Sequence, residues 1–318
     1  MLLALWSPKG GSGTSVLAAA CALVLGRRGG ARLADLDGDQ PALFGLASDP
    51  PTGLVDWLGA GPEAPTDALE RLTVEAAAGV ALIPRGTPAR PLAPVPAAEA
   101  GAALAVALRD GLVPTVVDLG LAQSPAARGV LEVADASLVV VRGCYLTLRR
   151  AVRAAPLAHA SGVVHVAEPG RAIGRRDVAG VLDRPVLAEV PVRSAIARAV
   201  DAGLLPTRLP EVLARPVHEA LGRLGLLGDR RGRAALARRP PRRGAPRLPR
   251  VVPPAATPAS SSASIAASSP PAASTRSITS TSTTGRAVPS LSAPGSPSCC
   301  TTRRPSSRRR DSSICWAS

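Results

Sequence analysis

Ser7-Pro8-Lys9-Gly10-Gly11-Ser12-Gly13-Thr14-Ser15 is the stretch on which the reading of this chain turns. The apolar run Leu2–Trp6 leads directly into it, and a run of helix formers from Val16 to Gly26 follows. A strand, a glycine loop and a helix in that order make an anion-binding device. Glycines let backbone N–H groups turn inward, and the positive end of the helix dipole faces the same point. A flexible turn between two core elements would also use glycines. Lysine usage favours phosphate binding: among 38 basic residues Lys9 is the only lysine, and it stands inside the loop.

The loop departs from the ordinary pattern G-x-x-x-x-G-K-[ST], in which a lysine precedes the hydroxyl residue. Thr14 holds that place here. Two acidic stretches further along the chain complete the candidate site. Ala31–Asp39 reads as a short strand ending in Asp35, Asp37 and Asp39. Carboxylates at the C-terminal end of a strand beside a phosphate loop suit Mg²⁺ or water positioning, although an acidic turn capping a strand fits the spacing equally well. Val113–Gly120 runs through β-branched residues into Asp118 and then Gly120, the form of a strand whose acid holds the water shell of Mg²⁺.

The rest of the chain alternates strands and helices. Strands are expected at Val80–Pro84, Ala134–Val141, Gly162–Val166 and Val186–Pro191. Helices are expected at Gly53–Leu58, Ala97–Asp110, from Cys144 onward, at Asp177–Leu182, Ala195–Gly203 and Pro210–Leu224, with a proline-rich surface loop over Arg85–Pro96. Trp57 and His165 read as core residues, and Arg149, Arg150 and Arg153 as a solvated basic helix face. The fold class is therefore α/β: a parallel sheet of about seven strands, of the phosphate-loop NTPase type, with helices on both faces.

Composition divides the chain. Residues 1–228 hold 22 of the 38 basic and 21 of the 23 acidic residues, leaving 16 and 2 for residues 229–318. The globular part is thus near neutral, and the basic character belongs to an Arg/Pro- then Ser/Thr/Pro/Ala-rich tail. Such a tail buries too little apolar surface to offset ordering and is expected to be disordered. Its arginines could meet nucleic acid or an anionic membrane by charge alone. An out-of-frame stretch in a gene rich in G and C has the same composition, so no site is assigned there. The five cysteines show no metal-binding spacing and read as reduced thiols of a cytoplasmic protein; the glycine loop begins where a signal peptide's apolar region would stand, and no apolar stretch is long enough to suggest a membrane span.

Lys9-Gly10-Gly11-Ser12-Gly13-Thr14-Ser15 resembles the deviant Walker A motif K-G-G-x-G-K-[ST] of the MinD/ParA ATPases, the CobQ/CobB/MinD/ParA nucleotide-binding domain. Asp35-x-Asp37, the Asp118 strand and Ala134–Val141 extend the resemblance over roughly residues 1–225, and the irregular loop looks nearest the CpaE/TadZ-like members. The resemblance implies ATP and Mg²⁺ as cofactors. It makes residues 9–15 the phosphate cradle, Lys9 the signature lysine that reaches the partner subunit's phosphate, and Asp37 the contact to the attacking water. Ser15 and Asp118 would hold Mg²⁺, Asp118 through water, with Asp35 in support, and Pro191 and Val192 would line the base pocket. It also implies a homodimer on ATP binding, an unidentified protein partner, and a role in positioning a septum, chromosome or pilus assembly, with recruitment to membrane or pole by that partner. Thr14 in place of the second lysine implies weak hydrolysis, or a non-hydrolysing scaffold. DNA partitioning gains no support from the near-neutral charge of residues 1–228.

Overall fold

Leucine, valine and alanine supply nearly all of the buried surface, and their spacing sets the layers. In β1 (Leu2–Trp6) every residue is buried. Leu3 and Leu5 belong to one core, while Leu2, Ala4 and Trp6 belong to another on the opposite side. That alternation is the two-residue period of a strand, and burial on both faces explains why it reads as a continuous apolar run.

The computed structural model describes residues 1–87 and 97–227. Around β1 stand β2 (Ala31–Asp35), β3 (Val74–Ala77), β4 (Val80–Ile83), β5 (Thr115–Asp118), β6 (Ala136–Arg142), β7 (Gly162–Ala167) and β8 (Val186–Pro191). They form one sheet in the order β3-β4-β2-β5-β1-β6-β7-β8. All pairings are parallel except β3 with β4. The expected parallel sheet of about seven strands is present, with one short antiparallel edge strand added to it. Val74–Ala77 escaped notice because it is short and half-exposed, with little apolar alternation.

The helices are α1 (Thr14–Gly26), α2 (Gln40–Leu43), α3 (Leu54–Gly59), α4 (Asp67–Arg71), α5 (Ala97–Arg109), α6 (Pro125–Val133), α7 (Tyr145–Arg153), α8 (Arg175–Leu182), α9 (Ser194–Asp201) and α10 (Glu211–Arg223). The first core joins the sheet to α1, α9 and α10, and the second joins it to α3, α5, α6, α7 and α8. Trp57 packs in the second core and donates its indole N–H to the Pro65 carbonyl at 2.9 Å. The predicted tail, 229–318, and residues 88–96 of the proline-rich loop lie outside the described residues.

β1 lies between β5 and β6, so the connections diverge to either side of it. In open parallel sheets such a point leaves a crevice at the C-terminal strand ends. The glycine loop, Asp35 and Asp118 all follow or end strands on that edge. At the opposite end, Asp135 accepts the Leu2 N–H at 2.7 Å and returns its own N–H to the Leu2 carbonyl at 3.0 Å. This fixes the entry of β1 against β6. Asp135→Ala should lower unfolding free energy by about 1–3 kcal/mol in urea denaturation, since it orphans a buried donor. Asp135→Asn, which keeps an acceptor, should lose much less.

Candidate functional site

Between β1 and α1 the chain needs a tight loop, and Gly13 supplies it with a left-handed backbone (φ 87°) at the helix N-cap. No side chain caps α1, and its first turn contains no acidic residue. The helix N-terminus therefore presents free N–H donors and a positive dipole end. Inside the loop, Ser7 and Ser12 donate their hydroxyls to the Lys9 carbonyl at 2.9 and 2.7 Å. These bonds hold the loop's shape while leaving Lys9 half-exposed, its Nζ donating to the Gly10 carbonyl at 3.3 Å. Thr14 is buried at the first position of α1.

Facing the loop are three carboxylates from two strands. Asp35 is fully buried, and its Oδ1 accepts the N–H groups of Asp37 and Gly38 while Oδ2 accepts that of Gln40. Burial raises its pKa to about 6 against the pull of those donors. Asp118 is also fully buried, accepting from the Gly120 N–H at 3.1 Å and the Gln40 side-chain amide at 2.7 Å. Burial, then the charge of Asp35, pushes it up to about 7. Asp37 is raised by burial and by Asp39, while the Ser15 hydroxyl and Arg85 oppose the shift. Ser15 donates to Asp39 at 3.3 Å.

The sequence-predicted residues thus fall into two groups. Ser15, Asp35, Asp37 and Asp118 meet at the ends of β2 and β5 beside the start of α1. Pro191 and Val192 meet Ser12 and Gly13 across an open, largely apolar pocket that is also lined by Val166 and Ile196. Both of Asp35's oxygens are taken by backbone donors, so it shapes the acidic turn. Asp135 and His165 serve packing: His165 is buried and bonds Glu189 through Nδ1 at 3.0 Å.

Gln40 and Arg142 were not legible as site residues. The buried Gln40 amide donates to both the Ser15 carbonyl and Asp118, tying α1 to β5. Its one signal in sequence is its place directly after the acidic turn. Arg142 ends the apolar run of β6 and lines the pocket. Gly120 (φ 54°) joins the parts: its carbonyl accepts the Ser7 N–H, and a Cβ there would overlap the Asp37 carboxylate.

A magnesium ion would be electrostatically welcome beside these carboxylates. Three carboxylates raise one another's pKa or are raised by burial, and a dication would relieve that cost. Among the described residues no cluster of three or more His, Cys, Asp or Glu is arranged to hold a metal unaided. Remaining ligands would then come from phosphate and water, as is usual for Mg²⁺.

No family model and no curated protein matches this sequence. Solved structures do match. A ParA family ATPase from Chlorobium tepidum TLS superposes with a TM-score of 0.57 at 21% identity, covering 69% of this chain and 97% of the other. The septum site-determining protein MinD from Pyrococcus horikoshii OT3, complexed with Mg-ADP, gives 0.56 at 18% identity over 70% and 95% of the two chains. A MinC:MinD cell division protein complex from Aquifex aeolicus gives the same TM-score of 0.56 at 18% identity over 70% and 95%. The chain has the MinD/ParA-type fold. No helix among the described residues is long and apolar enough to cross a membrane.

The raised carboxyls carry a signed prediction for the nucleotide-free protein. Protonated acids are favoured in the folded state, so their stabilisation is complete below the unfolded value near 4 and is lost as pH rises through about 6 and about 7. Subtracting thermal melts of Asp118→Asn from those of the original protein should leave a stability difference that falls by on the order of a few kcal/mol across that range. A difference independent of pH would contradict the assignment.

Proposed function

We propose that this protein is a nucleotide-dependent dimerising switch of the MinD/ParA type, binding ATP with Mg²⁺ and hydrolysing it weakly. The observation carrying this reading is the meeting of Asp37 and Asp118 around Gly120, with Ser15 donating to the adjoining Asp39, directly beside an uncapped helix N-terminus. The Mg-ADP complex of the Pyrococcus horikoshii neighbour supports nucleotide and metal as the ligands, and the Aquifex aeolicus MinC:MinD complex supports a protein partner.

Each residue has a task in this scheme. Backbone N–H groups of residues 10–15 bind the phosphates, with α1 adding its dipole. Bound Mg²⁺ would neutralise charge on the phosphate oxygens. Ser15 and Asp118 would hold it, Asp118 through water, while Gln40 fixes the Asp118 carboxylate. Asp37 orients the water. Lys9, half-exposed at the loop's rim, reaches the phosphate of a partner subunit. That contact exists only in the triphosphate-bound dimer, which gives the ligand its differential effect on the two states.

Gly120 supplies the coupling. Its bonds to Ser7 and Asp118 and its contact with Asp37 tie all three parts of the site to the segment that follows. Two residues on, Ala122 holds a left-handed backbone (φ 51°), a strained conformation for a residue with a Cβ. A shift of phosphate or metal would therefore be transmitted to residues 120–124.

Thr14 favours a second reading, a scaffold that binds nucleotide without turning it over. The absent lysine removes charge stabilisation that phosphoryl transfer depends on. Sedimentation of the full chain with Mg-ATP should show a dimer that Lys9→Ala abolishes; dimerisation unchanged in that variant would overturn the switch. Thr14→Lys should raise turnover by roughly tenfold or more, with Asp118→Ala inactive throughout. Binding with no turnover in either the original chain or Thr14→Lys would select the scaffold.

A further inference from the structure

The pocket beyond Ser12 and Gly13 is open, and its walls are chiefly aliphatic. Val16, Val190 and Leu213 suit a flat ring, but an open pocket leaves part of such a ring to solvent. Two cations line it, Arg142 and Arg193. Arg142 is committed within the protein. Its Nη1 donates to Glu168 at 2.8 Å, its Nε is sealed from solvent, and Arg171 holds Glu168 from the other side.

Arg193 is placed differently. It is exposed, and among the described residues it pairs with no carboxylate. Its guanidinium makes one hydrogen bond, from Nη1 to the adjacent Val192 carbonyl at 3.2 Å. The backbone beneath it is fixed on both sides. Val192 donates its N–H to the Ala167 carbonyl at 2.9 Å, and the Arg193 carbonyl accepts from Ile196 at 3.0 Å as α9 begins. Arg193 itself is extended, with φ −139° and ψ 141°. An anchored backbone beside the pocket thus carries a long side chain that is free to turn over its opening.

We propose that Arg193 covers the adenine ring, laying its guanidinium plane over the face that the aliphatic walls leave open. The inference rests on the ATP-binding reading above and assigns a binding residue for the base. A guanidinium is planar, weakly hydrated and always charged, so it stacks on an aromatic face, whereas a lysine ammonium has no plane to lay down. The arginine stem adds apolar cover along the ring. Adenine would then meet aliphatic side chains on one side and a cation on the other. Giving up an exposed hydrogen bond to Val192 costs little, because water replaces it. Stacking needs only a π-face, so it tightens binding without reading the hydrogen-bonding edge of the base.

Calorimetric titration of the full chain with a non-hydrolysable Mg-ATP analogue and with Mg-tripolyphosphate separates the base from the phosphates. The ATP analogue should bind the tighter of the two. Arg193→Ala should weaken the analogue roughly fivefold or more and leave tripolyphosphate within about twofold. Arg193→Lys keeps the charge without the plane and should recover little. Arg193→Tyr restores a flat face without the charge and should recover most of the loss. Arg193 is exposed, so the ligand-free melting temperatures of all three variants should match the original. Five results would overturn the role of Arg193 and leave the switch reading intact: equal binding of both ligands by the original chain, unchanged affinity in Arg193→Ala, equal loss for both ligands, a lowered melting temperature, or recovery by Arg193→Lys and not by Arg193→Tyr. Failure of the original chain to bind the ATP analogue would overturn the nucleotide-site reading itself, and this inference with it.

Discussion

A buried carboxylate needs hydrogen-bond donors, and much of the irregular backbone in this protein is arranged to supply them. Asp35 collects three backbone N–H groups and thereby closes the turn after β2. Asp118 takes the Gly120 N–H and the Gln40 amide, which fixes both the segment after β5 and the start of α2. Left without donors, Asp35 and Asp118 would each carry a desolvation penalty large enough to threaten a marginally stable fold.

The same bonds explain why the acids are poised. Donors offset only part of the cost of burial, so Asp35 and Asp118 remain shifted upward to about 6 and about 7. Close to neutral pH their charge is thus sensitive to whatever arrives beside them. A dication held beside these carboxylates would favour their ionised forms, so its affinity would be linked to their protonation. Gln40 is central to this linkage, because one amide nitrogen joins the α1 backbone to Asp118.

Cationic charge is distributed differently from the loop's ordinary pattern. Thr14 leaves the start of α1 with no lysine, and Lys9 lies at the loop's rim, hydrogen-bonded to Gly10. Arg142 brings a guanidinium to the neighbouring pocket from β6, and Arg85 bears on Asp37 from the segment after β4. In the loop itself the helix dipole and backbone N–H groups are thus the main positive groups, while side-chain charge stands at its borders.

Local pattern was enough for much of this. The run Leu2–Trp6 followed by Lys9–Ser15 determined the first strand, the loop and α1, because strand burial, glycine conformation and helix propensity are all short-range properties. Apolar runs ending in acid marked β2 and β5, and the α/β class followed from alternation. Tertiary structure decided the rest. β3 became visible only through its antiparallel pairing with β4, since four half-exposed residues carry no pattern of their own. Sequence left open whether Asp35 bound metal or capped a turn; folding gives it three backbone donors from the turn after β2. Gln40 and Arg142 gained their meaning from neighbours 78 and 26 residues away in the chain, Asp118 and Glu168. The chemistry of a polar side chain is set by which partners share its buried space, and folding alone brings those partners together.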